Sequence, residues 1–137
     1  MANARRSRNT VLHVWLDASA NSNSSSFKKV EKQLKAKLEN LITFNAINDF
    51  KEFIEIHDNQ TILLIVSASY GRQIVPEIHN LRQLLAIYVY CANIESNIQW
   101  AKDYTKTNNN SLLIIIMHQL KEVTSPRMPM VTTIILY

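Results

Sequence analysis

Residues 61–91, TILLIVSASYGRQIVPEIHNLRQLLAIYVYC, decide the fold. Ile62 to Val66 is an unbroken run of leucine and β-branched residues, the composition of a strand covered on both faces, and Ala86 to Cys91 repeats it with two tyrosines. The intervening segment, about eighteen residues, is long enough for one right-handed crossover between parallel strands. Within it, Ser67 to Arg72 reads as the loop leaving the first of these strands, and Pro76 suits the first turn of a short helix reaching Leu84. Gly71, the chain's single glycine, reads as supplying a backbone angle that other residues resist.

Working outward, Thr10 to Asp17 is an apolar run ending on a carboxylate and reads as an opening strand, followed by a Ser/Asn/Ala linker from Ala18 to Ser26. Phe27, Val30, Leu34, Leu38 and Leu41 recur at three- and four-residue steps, which predicts an amphipathic helix with Ser26 as its cap. A strand over Thr43 to Ile47 follows. Next comes a helix capped by Asn48 or Asp49 with Phe50, Phe53, Ile54 and His57 on one face. Beyond Cys91, Asn93 is a candidate cap for a helix carrying Ile94, Ile98, Ala101 and Tyr104. Leu112 to Met117 can be a fifth strand or the start of an apolar helix, its branched residues favouring the strand, and Ser125 to Pro129 breaks the chain. VTTIILY then ends it on an apolar, β-prone segment that reads as an unusual terminus and as able to pair at a sheet edge. Alternating strands and helices predict an α/β fold: an open, doubly wound parallel sheet of flavodoxin or receiver type, of about five strands with helices on both faces.

A chain of 137 residues is one domain long and can bury a core without metals or disulfides. One cysteine permits no disulfide framework, no apolar stretch is long enough for a membrane span, and no secretory leader is visible. A cytoplasmic location is the expectation. The formal net charge of +4 comes largely from Arg5, Arg6 and Arg8 in a basic tail over residues 1–9; without them twelve bases face eleven acids. The lysines of KKVEKQLKAKLEN alternate with glutamates on the polar side of a helix, the pattern of a solvated face rather than of a nucleic-acid surface.

In doubly wound sheets ligands sit beyond the carboxyl ends of the strands. That rule gathers Asp17, Ser19, Ser67, Ser69, Gly71, Arg72 and Asn93, with Ala18 and Cys91, at a candidate ligand edge. A single glycine cannot build a dinucleotide fingerprint or a P-loop. The Ala18 to Ser26 loop, ahead of a helix, can cradle a phosphate as in a flavin-mononucleotide site, although a solvated loop is the simpler reading. Receiver chemistry is poorly matched: one acid, Asp17, follows the first strand, and Ser67 stands where the phosphoacceptor aspartate belongs. Cys91 and His79 lack the spacing of a nucleophile and its base, so a buried thiol and a helix-surface imidazole are expected. His13, His57 and His118 show no metal-ligand spacing. Arg72 and Glu77 can clamp a ligand, though a surface ion pair is the commoner arrangement. Tyr88, Tyr90 and Trp100 read as packing residues. No catalytic residue, metal or cofactor is expected.

The runs VWLDAS (14–19), VSASYGRQIVPEIHNLRQLLAIYVYC (66–91) and NIQWAKDYTK (97–106) resemble an uncharacterised α/β module, receiver- or TIR-like, of invertebrate multidomain proteins. That module usually stands N-terminal to tetratricopeptide arrays or arginine ADP-ribosyltransferase domains. The resemblance spans Thr10 to Lys106 and implies the module without transferase machinery; it transfers no catalytic residue. Where members continue with a Gly-Val-Phe strand and an acidic helix, residues 107–137 of this chain read TNNNSLLIIIMHQLKEV and PRMPMVTTIILY around a short break. The expected function is a non-catalytic protein-interaction or regulatory module of a signalling-type fold, with a protein partner and self-association through the C-terminal apolar segment. The alternative is a nucleotide- or phosphate-binding, or TIR-like NAD-consuming, domain with its site at the strand ends.

Overall fold

The computed structural model describes residues 11–20, 25–104, 113–117 and 133–135. The basic tail, the heart of the 18–26 loop, His118 and the break around Ser125 to Pro129 lie outside those residues. Within them the order is β1 (Val11–Leu16), α1 (Ser25–Lys37), β2 (Leu41–Phe44), α2 (Ile47–Ile56), β3 (Thr61–Ser67), α3 (Ala68–Ile78), β4 (Leu84–Tyr90), α4 (Ile94–Ala101), β5 (Leu113–Met117) and β6 (Thr133–Ile135). The strands form one sheet in the order β2-β1-β3-β4-β5-β6. The first five are parallel, and β6 joins β5 antiparallel. This is the doubly wound sheet expected from the sequence, with its order reversing between β1 and β3. The C-terminal segment pairs within the molecule through Thr133–Ile135.

Register divides the side chains between two faces. Val14, Leu64 and Ile87 stand in line across the sheet, as do Leu16, Val66 and Val89. Together with Ile114 and Ile116 they meet Phe50 and Ile54 of α2, Ile74, Val75 and Ile78 of α3, and Ala101 of α4 in one buried cluster. On the opposite face Trp15, Ile65 and Tyr88 are in line, and α1 covers them with Phe27, Val30 and Leu34. The Trp15 and Phe27 rings stack at 4.5 Å. The strand run at 62–66 is buried at four of its five positions because helices lie on both sides of it.

Several element boundaries differ from expectation. Leu41 belongs to β2 rather than to the first helix; Asn40, with φ 59°, turns the chain in the left-handed region, and Leu41 pairs with His13. The helix it leaves starts at Ser25, so Ser26 lies inside the first turn. β2 therefore ends at Phe44, before the expected Ile47. α2 begins at Ile47, with Ala46 rather than Asn48 or Asp49 at the cap position, and His57 is its C-cap, stacked on Phe53 at 4.1 Å.

The largest correction concerns residues 67–76. α3 starts at Ala68, directly after β3, and Pro76 sits well inside it rather than in its first turn. Gly71, Ile74, Val75 and Ile78 lie on its buried side, a helical stripe strong enough to outweigh a proline and three β-branched residues. Gly71 has no positive φ. Its distinguishing property is a close surrounding: a Cβ built there would lie 3.4 Å from Val66 Cγ1 and 3.6 Å from Trp100 Cη2. β4 begins at Leu84, two residues before the expected start, where a register shift opposite Ile62 and Leu63 leaves Leu85 half exposed. Tyr104 lies in a 3-10 turn following α4.

Candidate functional site

The carboxyl ends of β1, β3 and β4 carry Asp17, Ser67 and Tyr90. Since Leu16, Val66 and Val89 are in register, the next residue on each strand falls in one row across the switch point. Tyr90 spans that row. Two strand spacings, roughly 10 Å, separate β4 from β1, yet its hydroxyl accepts from Trp15 Nε1 at 2.9 Å and donates to Asp17 Oδ2. Asp17 Oδ1 accepts from the Ser19 amide at 2.9 Å. The Asp17 amide donates to Phe44 O at 3.0 Å, and the Ala20 amide to Asp17 O at 2.9 Å. Both carboxylate oxygens are thus engaged in holding the turn after β1. Burial, reinforced by the adjacent Asp17 carboxylate, drives the Tyr90 phenol far above its ordinary range, so it remains a proton donor to Asp17 at all physiological pH.

The neighbouring loops are also tied down. Tyr70 O–H donates to Asn45 O at 3.0 Å, linking the start of α3 to the β2–α2 loop. Asn93 caps α4 as its position suggests, its side chain accepting from the Ser96 amide at 3.1 Å. Its carbonyl accepts from Asn97 Nδ2 at 2.7 Å, and Asn97 Oδ1 accepts from Trp100 Nε1 at 2.7 Å. Asn97 is buried, and this chain of bonds satisfies it.

Of the seven expected edge residues, Asp17 and Ser19 meet directly, and Ser67 lies in the row between Asp17 and Tyr90. Ser69 and Arg72 are on α3 and partly or fully exposed, whereas Gly71 turns inward against Val66 and Trp100 and so leaves the edge. Asn93 is occupied as a cap. Arg72 and Glu77 form no clamp, because Glu77 pairs with Lys51 of α2 at 2.6 Å. His79 is a correction too: it is buried at the C-terminus of α3 against Tyr104, ring centroids 5.0 Å apart, instead of lying on a helix surface. It precedes β4 and Cys91 follows it, so the two stand beyond opposite ends of a seven-residue strand, roughly 23 Å long. Cys91 is half-buried rather than buried, and desolvation raises its thiol above the ordinary range, against opposing bonds from Asn97 and Asn93.

Tyr90, read from the sequence as a packing residue, and Trp15, given no role beyond its strand, are contributors that the sequence did not place at this edge. The signal was parity: Trp15, Ser67 and Tyr90 share one face once the register is known, and Asp17 is two residues past Trp15. Among the described residues no three His, Cys, Asp or Glu side chains gather in a metal-binding arrangement, and no helix is long and apolar enough to cross a membrane. A solvent-open concavity occurs at the opposite edge, before β3 and β4, lined by Asp58, Asn59, Gln60, Thr61, Arg82 and Gln83. Compared with family models, with curated proteins and with solved structures, the chain matches none.

Proposed function

We propose that this chain is a non-catalytic protein-interaction or regulatory module of a signalling-type α/β fold, acting in the cytoplasm and docking an extended segment of a partner protein along the free edge of β2. The observation that carries the reading is the character of that edge. Leu41, Ile42, Thr43 and Phe44 are uncharged, all partly exposed, and paired to β1 without a bulge. Sheet edges are ordinarily protected by charge, proline or irregularity, and this one has none of them. Asn40 O accepts from the His13 amide and Phe44 O from the Asp17 amide just past β1, so by alternation Leu41 and Thr43 direct their own amides and carbonyls outward, where a peptide strand can add.

The reading is further supported at the C-terminal edge, where Asp17, the carboxylate that a ligand site would need, is already bonded to Tyr90 and Ser19. The test is a pair of measurements on the full chain. Affinity capture from cells with wild type and Thr43→Pro should recover a protein that the variant loses, because proline removes an outward amide and leaves the β1 ladder intact. A partner set indifferent to Thr43→Pro sinks edge docking. Thermal unfolding with NAD, ATP or flavin mononucleotide should show no shift; a ligand at about 100 times its Kd adds roughly 2.7 kcal/mol, and such a gain would establish the ligand-binding reading instead.

A further inference from the structure

All five lysines of α1 are exposed, and Glu31 is the one acid in that helix. Glu31 is largely covered and pairs with Lys35 at 3.5 Å, whereas Lys28, Lys29, Lys32 and Lys37 form no ion pair with a described residue. The alternation of lysine with glutamate along the sequence is therefore not kept on the surface, because Glu39 stands beyond the helix end. Phe27, Val30 and Leu34 face the sheet. At about 100° per residue this sets Lys28, Lys29 and Lys32 on the outward side. The row is poor for the helix itself. Lys28 and Lys32 repel at four-residue spacing, and Lys28 lies in a first turn that holds no acid, where the helix dipole opposes a cation.

Charge elsewhere runs in the opposite sense. Eight of the fifteen bases lie in residues 1–9 or in α1, with Glu31 as the acid among them, and the other seven bases face ten acids. Asp49, Glu52 and Glu55 are exposed on α2, which packs on the other face of the sheet. A body with a basic face and an acidic far side orients on a charged plane, which touches the basic face alone; a polyanion that wraps around it meets the acids as well. α1 has no arginine fork, and its aromatic ring, Phe27, is stacked on Trp15, so it lacks the features that grip nucleic acid. The exposed large hydrophobic residues, Ile56 and Leu85, both lie off α1, which leaves charge as the attraction. We infer that α1 docks the chain on an anionic phospholipid bilayer through Lys28, Lys29 and Lys32, without insertion.

The test is sedimentation of the full chain with vesicles of phosphatidylcholine alone or with roughly one-third phosphatidylserine. At about 0.1 M salt the chain should bind the anionic vesicles and not the neutral ones, and about 1 M salt, which shortens the Debye length from roughly 10 Å to roughly 3 Å, should release it. Each lysine near such a surface is worth about fivefold in affinity, so Lys28→Glu/Lys32→Glu should weaken binding about twentyfold or more, and Lys28→Gln/Lys32→Gln should lose less. Arg72→Glu/Arg82→Glu makes the same change in net charge at exposed positions on α3 and in the turn after it, and should stay within about threefold of wild type. Thr43→Pro should bind vesicles normally, so lipid docking and docking of a partner protein on the β2 edge can fail separately. No binding to anionic vesicles at the lower salt, equal binding to neutral ones, indifference to the α1 substitutions, or an equal loss in Arg72→Glu/Arg82→Glu would each overturn the inference. Binding of an RNA oligonucleotide in place of vesicles would assign the face to nucleic acid, and self-association lost in Lys28→Glu/Lys32→Glu, without vesicle binding, would assign it to the acidic α2 of a second copy.

Discussion

On one face of the sheet α2, α3 and α4 enclose a continuous apolar cluster from Val14 to Ile116, whereas on the other α1 is the described helix that covers Trp15 and Ile65, and Tyr88 and Tyr90 remain partly exposed. The first face is held mainly by hydrocarbon, with the Lys51–Glu77 pair joining α2 to α3 and the Trp100–Asn97 bond within α4 beside it. The second adds a ring stack and a chain of hydrogen bonds from Trp15 through Tyr90 to Asp17. The difference separates two tasks. Area buried under three helices supplies most of the stability, and directional bonds under one helix fix the conformation of the loop after β1.

Truncating adjacent residues that point to opposite faces tests this division with the largest effects. Leu64→Ala, inside the three-helix cluster, should cost about 4 kcal/mol, and Ile65→Ala, under α1, about 2 to 3 kcal/mol, since its surroundings can settle into the gap. Both residues are fully buried in the folded chain. Urea unfolding with unchanged m-values would measure the gap, and equal losses would remove the contrast between faces.

Next in size is the hydrogen-bond chain. Tyr90→Phe leaves the Trp15 N–H and an Asp17 oxygen without their partner and should cost about 2 kcal/mol. It also has a pH signature. The folded phenol titrates far above its ordinary value of 10.0, chiefly through burial. Its contribution is therefore complete below the unfolded pKa, about 10, and is lost as pH rises beyond it, at up to about 1.4 kcal/mol per pH unit. Denaturation midpoints from about pH 8 to pH 11 should fall less steeply in Tyr90→Phe than in wild type. Some slope will remain, because burial also raises Tyr88. Parallel curves would mean that the Tyr90 proton is not held by the fold.

The fold was legible where one periodicity ruled. Ile62–Val66 has no polar residue and reads as a strand covered on both sides, and the α1 stripe through Phe27, Val30 and Leu34 reads as a helix over a sheet. Boundaries failed where one residue satisfied two patterns. Leu41 continues the helical stripe, yet it pairs in β2 because Asn40 turns the chain before it. Residues 68–78 failed because Pro76 and the lone glycine resemble loop punctuation, and burial of Ile74, Val75 and Ile78 overrode them. At the candidate edge, Asp17 and Ser67 were found by position, whereas the Tyr90 contact depends on a register across three strands that no local pattern contains.

Gly71 gives the smallest effect and discriminates most directly between a backbone and a packing role. A glycine kept for a left-handed angle would lose at least about 1 kcal/mol on replacement by alanine. Gly71 is helical without positive φ, and a Cβ there would meet Val66 Cγ1 at 3.4 Å, Trp100 Cη2 at 3.6 Å and Val89 Cγ2 at 3.7 Å, all ordinary contact distances. Alanine improves helix propensity by roughly 1 kcal/mol, part of which is offset by the fit against Val66. Gly71→Ala should therefore stabilise the chain by about 0.5 kcal/mol, read as a small rise in the urea midpoint at constant m. A loss of more than about 1 kcal/mol would mean that the methyl group does not fit against Val66 and Trp100 as these distances allow, making the junction of α3, α4 and the three-helix face more tightly packed than its contact distances imply.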